Sequence, residues 1–337
     1  MSYRPGEIYF VRENILGTND LSSFVKIGLV ADQRTSAERL KEHQTGNPRR
    51  LHNQAVIETP AVHRVEAMLH RIYAPHRVSG EWFDFKDEAQ ILEVIENVKT
   101  LSGEVAKVVP IFDEAETLAA KPSHTGLLPS TVAIQAVADR WAVATAKVAM
   151  CTGIRSTISG KFVEALKAGV DVKGAAIEKE VYPKPKFNTT LFKKEHKEKY
   201  QEYSKVAASF SATFKSLISS VDPSTLDAQF LEQITKIEAM LAQVEKLEDA
   251  YLLNEPLLLV THLLALAEWD RDIAEAELKV ACGTAAGIEG ICTWERKAST
   301  KTSLDTDKLA NLEPDLFLQY FLPRESYSRI TVNRKRN

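Results

Sequence analysis

GEIYFVRENILGTNDLSSFVKIGLV, residues 6–30, holds two β-branched and aromatic runs, GEIYFVR (6–12) and FVKIGLV (24–30). Both have the composition of strands. Gly17, Asn19 and Asp20 between them suit a hairpin connection. Downstream, Thr35-Ser36-Ala37-Glu38 has the spacing of a capping box and opens a helix to about Gln44, ended by Gly46. LHNQAVIE (51–58) is a third strand. Pro60 starts a second helix, whose buried face is marked by Val62, Val65, Leu69, Ile72 and Tyr73. GEWFDF (80–85) closes the unit as a strand. The order β-β-α-β-α-β defines a small α+β unit.

The rest of the chain reads differently. A helix is expected over 87–108, followed by the Pro- and Gly-bearing stretch DEAETLAAKPSHTGLLPS (113–130) as a linker. Beyond it the chain reads as mostly helical. Apolar residues recur at threes and fours from Phe230 to Leu247, which predicts a long helix over 225–252. The expected division is an N-terminal unit at 1–110, a linker at 111–130 and a helical domain at 131–337. Two matched shapes, 187–203 with 304–320 and 139–153 with 270–284, suggest that the helical domain has two related halves, 131–220 and 256–335. Chance matching of short helical segments is the plainer alternative.

Composition bounds the function. The 337 residues are 44% hydrophobic and 26% charged, with 43 basic and 46 acidic side chains and a net charge of −3. A largely disordered chain and a uniformly basic nucleic-acid coat are therefore excluded. Three cysteines, Cys151, Cys282 and Cys292, without CxxC spacing argue against a disulfide framework and a cysteine-ligated zinc site. The most apolar segment, 251–269, contains Glu255, Pro256 and His262 and reads as a buried helix rather than a membrane span. The N-terminus lacks a signal-peptide pattern, so a cytoplasmic location is expected. Residues 1–85 stand apart: they hold five of the eight histidines and carry a net +1.

GEIY (6–9), VKIG (25–28), AERLKEHQTGNPRRL (37–51), VEAMLH (65–70) and GEWF (80–83) occur in this order within 80 residues. In this the first 85 residues resemble the GIY-YIG nuclease superfamily, in its phage-associated branch with KIG in place of YIG. The resemblance implies an α+β domain with a small mixed or antiparallel sheet flanked by helices. The mostly helical region follows it, ending in a short β-containing segment. It also implies metal-dependent hydrolysis of DNA phosphodiester bonds with Mg²⁺, or Mn²⁺. Glu66 matches the family's metal-binding glutamate, Arg39 its phosphate-binding arginine and Tyr9 its water-positioning tyrosine. His43, four residues after Arg39, shares its helix face and is a candidate proton shuttle. Lys26 stands where the second-motif tyrosine is expected, as a phosphate ligand or a charge that tunes Tyr9. Lys41, Arg49 and Arg50 are candidate nucleic-acid contacts. His63, Glu66 and His70 form an alternative zinc row lacking a further ligand.

Residues 283–332 resemble, more weakly, the tail of YqaJ-type viral recombinases through TWER (293–296), LDTDKL (304–309) and SRI (328–330). The nuclease core that precedes that tail is not visible, so its activity is not carried over. What it implies is a phage or mobile-element setting and a segment that engages DNA or a partner. Trp294 and Arg296 read as structural, and the terminal RKR (334–336) as a phosphate contact. Two functions stay open: a nuclease, or a nucleic-acid-binding or scaffolding protein with a weakly active or inactive nuclease-like domain. RNA remains a substrate alternative, and a homo-oligomer through the long helix remains open.

Overall fold

The computed structural model describes residues 3–31, 34–124, 126–172 and 176–332. Its N-terminal part is a five-stranded antiparallel sheet. Strands β1 (Gly6–Asn14) and β2 (Leu21–Ala31) form the expected hairpin, and β3 (Leu51–Thr59) pairs with the other edge of β1. The sheet order is β3-β1-β2-β5-β4, with β4 at Arg77–Ser79 and β5 at Trp82–Asp84. The single closing strand expected over 80–85 is thus a short hairpin. Gly80, at φ +57°, and Glu81 make its turn.

Local signals account for the helices here. Helix α1 (Ser36–Thr45) starts at the reciprocal capping box of Thr35 and Glu38 and ends at Gly46. Helix α2 (Val62–Ile72) begins two residues after Pro60 and buries Val62, Val65, Met68 and Leu69. These side chains meet Ile8, Phe10, Val25, Ile27, Phe83 and Phe85 from one sheet face. Each fully buried Ile or Phe contributes about 1.5–3 kcal/mol. The opposite face, through Tyr9, Val11 and Val30, receives Leu40 of α1.

Helix α3 (Glu88–Ala119), capped by Asp87, is longer than the expected 87–108. Pro110 lies inside it. The ring removes one helical hydrogen bond but does not end the helix, because Val105, Phe112 and Ala115 stay buried on either side. Residues beyond Ala119 are pinned rather than loose. Ser123 N donates to Arg296 O at 2.8 Å and Leu128 N to Gly287 O at 3.0 Å.

Helix α4 (Val132–Lys167) packs along a later helix, α8 (Asn254–Cys282). Ala138 meets Leu278 and Cys282, while Phe162 shares a core with Leu253 and Leu257, so the two run antiparallel. The single helix expected over 225–252 is broken. Helix α7 covers Ala228–Ala242, and a 3-10 turn at Leu247–Leu253 leads into α8. Leu247–Cys282 is apolar and long enough to cross a membrane, but 67% of its apolar window is buried inside the protein, as expected of a core helix. The N-terminal part docks on α8. Arg64 pairs with Asp272 at 2.7 Å, Arg71 with Glu268 at 2.6 Å, and His262 Nδ1 donates to Ile72 O at 2.6 Å.

The region read as helical also contains strands. β6 (Ala176–Val181), β7 (Lys186–Phe187), the short helices α5 (Thr189–Glu195) and α6 (Lys197–Glu202), and β8 (Ser204–Ser216) form one limb. After β9 (Gly287–Ile288), β10 (Cys292–Leu304), α9 (Thr306–Leu312), α10 (Pro314–Tyr320), β11 (Phe321–Leu322) and β12 (Tyr327–Val332) form the other. The limbs pair antiparallel, β12 with β6, β11 with β7 and β10 with β8. Their contacts are reciprocal. Asn188 N donates to Tyr320 O and Asp305 N to Tyr203 O, both at 2.8 Å. The Tyr203 hydroxyl donates to Glu313 at 2.8 Å, and the Tyr320 hydroxyl lies 2.8 Å from His196 Nε2. Segments 187–203 and 304–320 therefore occupy equivalent places about a pseudo-two-fold axis. The terminal RKR lies outside the described residues.

Candidate functional site

Tyr9 on β1 and Lys26 and Gly28 on β2 sit side by side, because β1 and β2 pair Tyr9 with Gly28. A Cβ on Gly28 would lie 2.4 Å from the Tyr9 ring, so the glycine of KIG is what lets that ring lie across the sheet. Gly6 has a similar role: its Cβ would meet Val30 O at 2.2 Å. The glycines of GEIY and KIG thus have a steric cause.

Helix α1 brings Arg39 and His43 to Tyr9. The Tyr9 hydroxyl lies 3.1 Å from His43 Nε2, and the Arg39 guanidinium lies near enough to lower the pKa of the same hydroxyl. Arg39 donates to Glu42 at 2.7 Å. Tyr9 is 2% exposed. Burial raises its hydroxyl above the ordinary phenol value, and Arg39 offsets this only in part. His43 moves the other way: burial, then the positive charges of Lys26 and Arg39, lower its imidazole.

Helix α2 supplies Glu66 and His70. Strand β5 pairs β2 only over Phe24–Lys26, and beyond this His70 Nε2 donates to Ile27 O at 2.9 Å. Glu66 Oε1 lies 3.6 Å from the same nitrogen. Burial raises the Glu66 carboxyl; His70 opposes this and Glu81 adds to it. Glu81, in the β4–β5 turn, forms an ion pair with Lys26. Burial pushes the Glu81 carboxyl up, but the hydrogen bond and charge of Lys26 outweigh it, and the net shift is downward. Arg77 donates from Nε to Gly80 O at 2.6 Å and is held over the Phe83 ring.

Tyr9, Lys26, Arg39, His43 and Glu66 therefore act on one another electrostatically in one place. Lys26 is paired with Glu81 and, through its charge, lowers the His43 imidazole. The zinc row does not form: His70 spends Nε2 on a backbone carbonyl, and no group of three or more His, Cys, Asp or Glu could hold a metal among the described residues. Lys41 and Arg50 are exposed. Arg49 pairs with Glu13, and the turn that carries it is braced by Gln44, whose Nε2 donates to Asn47 O and Arg49 O. Glu81 and Arg77 are members of the site that the sequence does not single out as such, and His70, named only in the zinc row, is a further member. The signal for Glu81 lies in GEWF, as a charged residue abutting the apolar pair Trp82-Phe83.

Residues 6–99 match the model of the T5orf172 domain, a phage-associated, nuclease-like family. No curated protein and no solved structure matches the chain.

Proposed function

We propose that the N-terminal domain is a metal-dependent endonuclease of GIY-YIG type that hydrolyses DNA phosphodiester bonds. The hydrogen bond between Tyr9 and His43, with Arg39 and Glu66 beside it, carries this reading. Hydrolysis needs a proton acceptor for the attacking water and positive charge on the phosphate. The raised Tyr9 hydroxyl stays protonated near neutrality, so it serves as a relay rather than a phenolate base. Its proton passes to His43 as it takes one from the water. The lowered His43 imidazole is neutral and ready to accept. Arg39 lies beside the Tyr9 oxygen and neutralises phosphate charge as it builds. Lys26 delivers a second positive charge when phosphate displaces Glu81.

A single half-buried carboxylate with its charged form disfavoured fits a hydrated Mg²⁺, which binds through one or two carboxylates and keeps its waters. Glu66 would hold it. Once bound, it supplies Lewis-acid stabilisation of the leaving alkoxide. The test is cleavage of supercoiled plasmid with Mg²⁺ or Mn²⁺. Wild type yields nicked or linear product, EDTA abolishes it, and Arg39→Ala lowers it at least tenfold. Retarded DNA without product from wild type would instead establish the binding-module reading.

The depressed His43 value gives the activity a pH signature. An imidazole is a base only above its pKa, so a lowered value moves the acidic limb of the rate profile below the ordinary value near 6.5. Activity falls as pH drops through that limb, whose midpoint lies below 6.5. His43→Gln removes the limb and lowers the plateau about 10²-fold. A profile whose acidic limb is unchanged in His43→Gln assigns the base elsewhere.

A further inference from the structure

The β8–β10 ribbon is 13 residue pairs long, about 43 Å at the usual strand rise. Residues 205–208 and 297–302 are exposed on both faces, so the middle of the ribbon stands clear, between a root at Trp294 and Phe214 and an outer end where Leu304 packs with Tyr203 and Leu309. The register sorts the two faces. One face collects the even-numbered residues, including Phe210, Phe214, Trp294 and Arg296. Its inner end is built into the core by Trp294 and Phe214.

The other face is polar except for Ala207 and carries Lys205, Lys215, Lys297 and Lys301 against the single acid Glu295. Between the lysines lie hydroxyls, among them Ser209, Ser211 and Ser299. Lys215 and Lys301 make no ion pair among the described residues. Lys205 and Lys297 make exposed ones, with Asp305 at 3.3 Å and Glu295 at 3.6 Å. This face is net +3 within a chain of net charge −3.

We infer that this face of the β8–β10 ribbon is a docking surface for duplex DNA. A two-stranded ribbon fits the B-form major groove, and lysines with hydroxyls between them match phosphate oxygens. The absence of aromatic rings from this face disfavours single strands, whose binding relies on base stacking. Duplex RNA is disfavoured because its major groove is too deep and narrow to enter. The surface lies in the part of the chain outside residues 6–99, and through it that part holds the duplex that the N-terminal domain cuts. The inference rests on the reading of DNA as substrate.

The test is fluorescence anisotropy of the full chain on a labelled 30-base-pair DNA duplex in EDTA, across a salt series. The variant Lys205→Gln/Lys215→Gln/Lys297→Gln/Lys301→Gln, with wild-type thermal unfolding, is expected to bind at least tenfold more weakly. Its log–log salt slope should be shallower by about 3–4, since each phosphate contact contributes roughly 0.9. Its plasmid cleavage should lose affinity for DNA with turnover within twofold. Glu66→Gln should bind like wild type. An unchanged Kd and slope in the quadruple variant overturns the inference, as does equal or tighter binding of single-stranded DNA or duplex RNA by wild type, or no DNA binding at all. Plasmid nicking by a wild type that ignores the lysine changes leaves the nuclease reading standing and sinks the ribbon. Lysine-dependent binding without nicking does the reverse.

Discussion

Glu66→Gln is expected to lower Mg²⁺-dependent plasmid cleavage by about 10³-fold or more, the scale on which losing a group that stabilises transition-state charge is felt. The carboxylate is the one acidic group at the site not already engaged by a strong cation, because Glu81 belongs to Lys26. Glutamine keeps the shape and removes the charge. Burial already disfavours charge at Glu66, so the neutral isostere is expected to unfold at the same temperature or slightly higher. Loss of cleavage with undiminished stability separates a chemical role from a structural one. A glutamine variant that cleaves at the wild-type rate, or one whose unfolding temperature drops in step with its activity, removes Glu66 from the mechanism. Duplex binding in EDTA is unaffected, because the carboxylate contributes no attraction to phosphate.

The sheet of the first 85 residues is legible in the sequence because local chemistry and global packing agree there. Tyr9, Lys26, Arg39, His43 and Glu66 each sit in a short run whose strand or helix can be read on its own, and the structure brings them together. For Glu81, GEWF marks a charged residue beside an apolar pair but not its partner. Its place depends on β5 pairing with Lys26 of β2, a long-range register that sequence does not display. The end of α3 lies beyond the expected one because Pro110 and the following acidic run look like a break, whereas buried contacts on both sides carry the helix through. The hydrophobic period from Phe230 to Leu247 shows which face is buried, not whether the backbone is continuous, and it runs across the break after Ala242.

The strands β6 to β8 illustrate a further limit. SKVAASFSATFKS, residues 204–216, is rich in Ala, Ser and Lys and has little intrinsic strand preference. It is extended because its partner, Cys292–Leu304, lies about ninety residues away and supplies the cross-strand bonds. The matched outlines of 187–203 and 304–320 are visible in sequence, but their reciprocity is not. Tyr203 reaching Glu313 and Tyr320 reaching His196 are contacts between the two segments, not within either.

Arg296→Met should produce the largest loss of stability, about 3–5 kcal/mol. The side chain is 1% exposed. Nη1 donates to Leu118 O at 2.7 Å, and Nη2 to Gly283 O at 2.8 Å and Ala285 O at 3.0 Å. The guanidinium is held 4.0 Å over the Trp294 ring. One side chain thus ties the end of α3, the turn after α8 and the root of β10. Methionine fills much of the volume but leaves the Gly283 and Ala285 carbonyls without donors, while Leu118 O keeps Lys121 N, and that desolvation exceeds what packing recovers. Lysine restores the charge but not the planar fork, and it should recover less than half of the loss. Cys282 and Cys292, whose sulfurs lie 3.7 Å apart and fully buried beside this turn, report the same event. In wild type they should resist a thiol reagent under native conditions, and in Arg296→Met they should react as the root of β10 opens. Urea unfolding with an unshifted midpoint, together with protected thiols, would show that the guanidinium bonds are dispensable and that Trp294 packing alone holds the root of the ribbon.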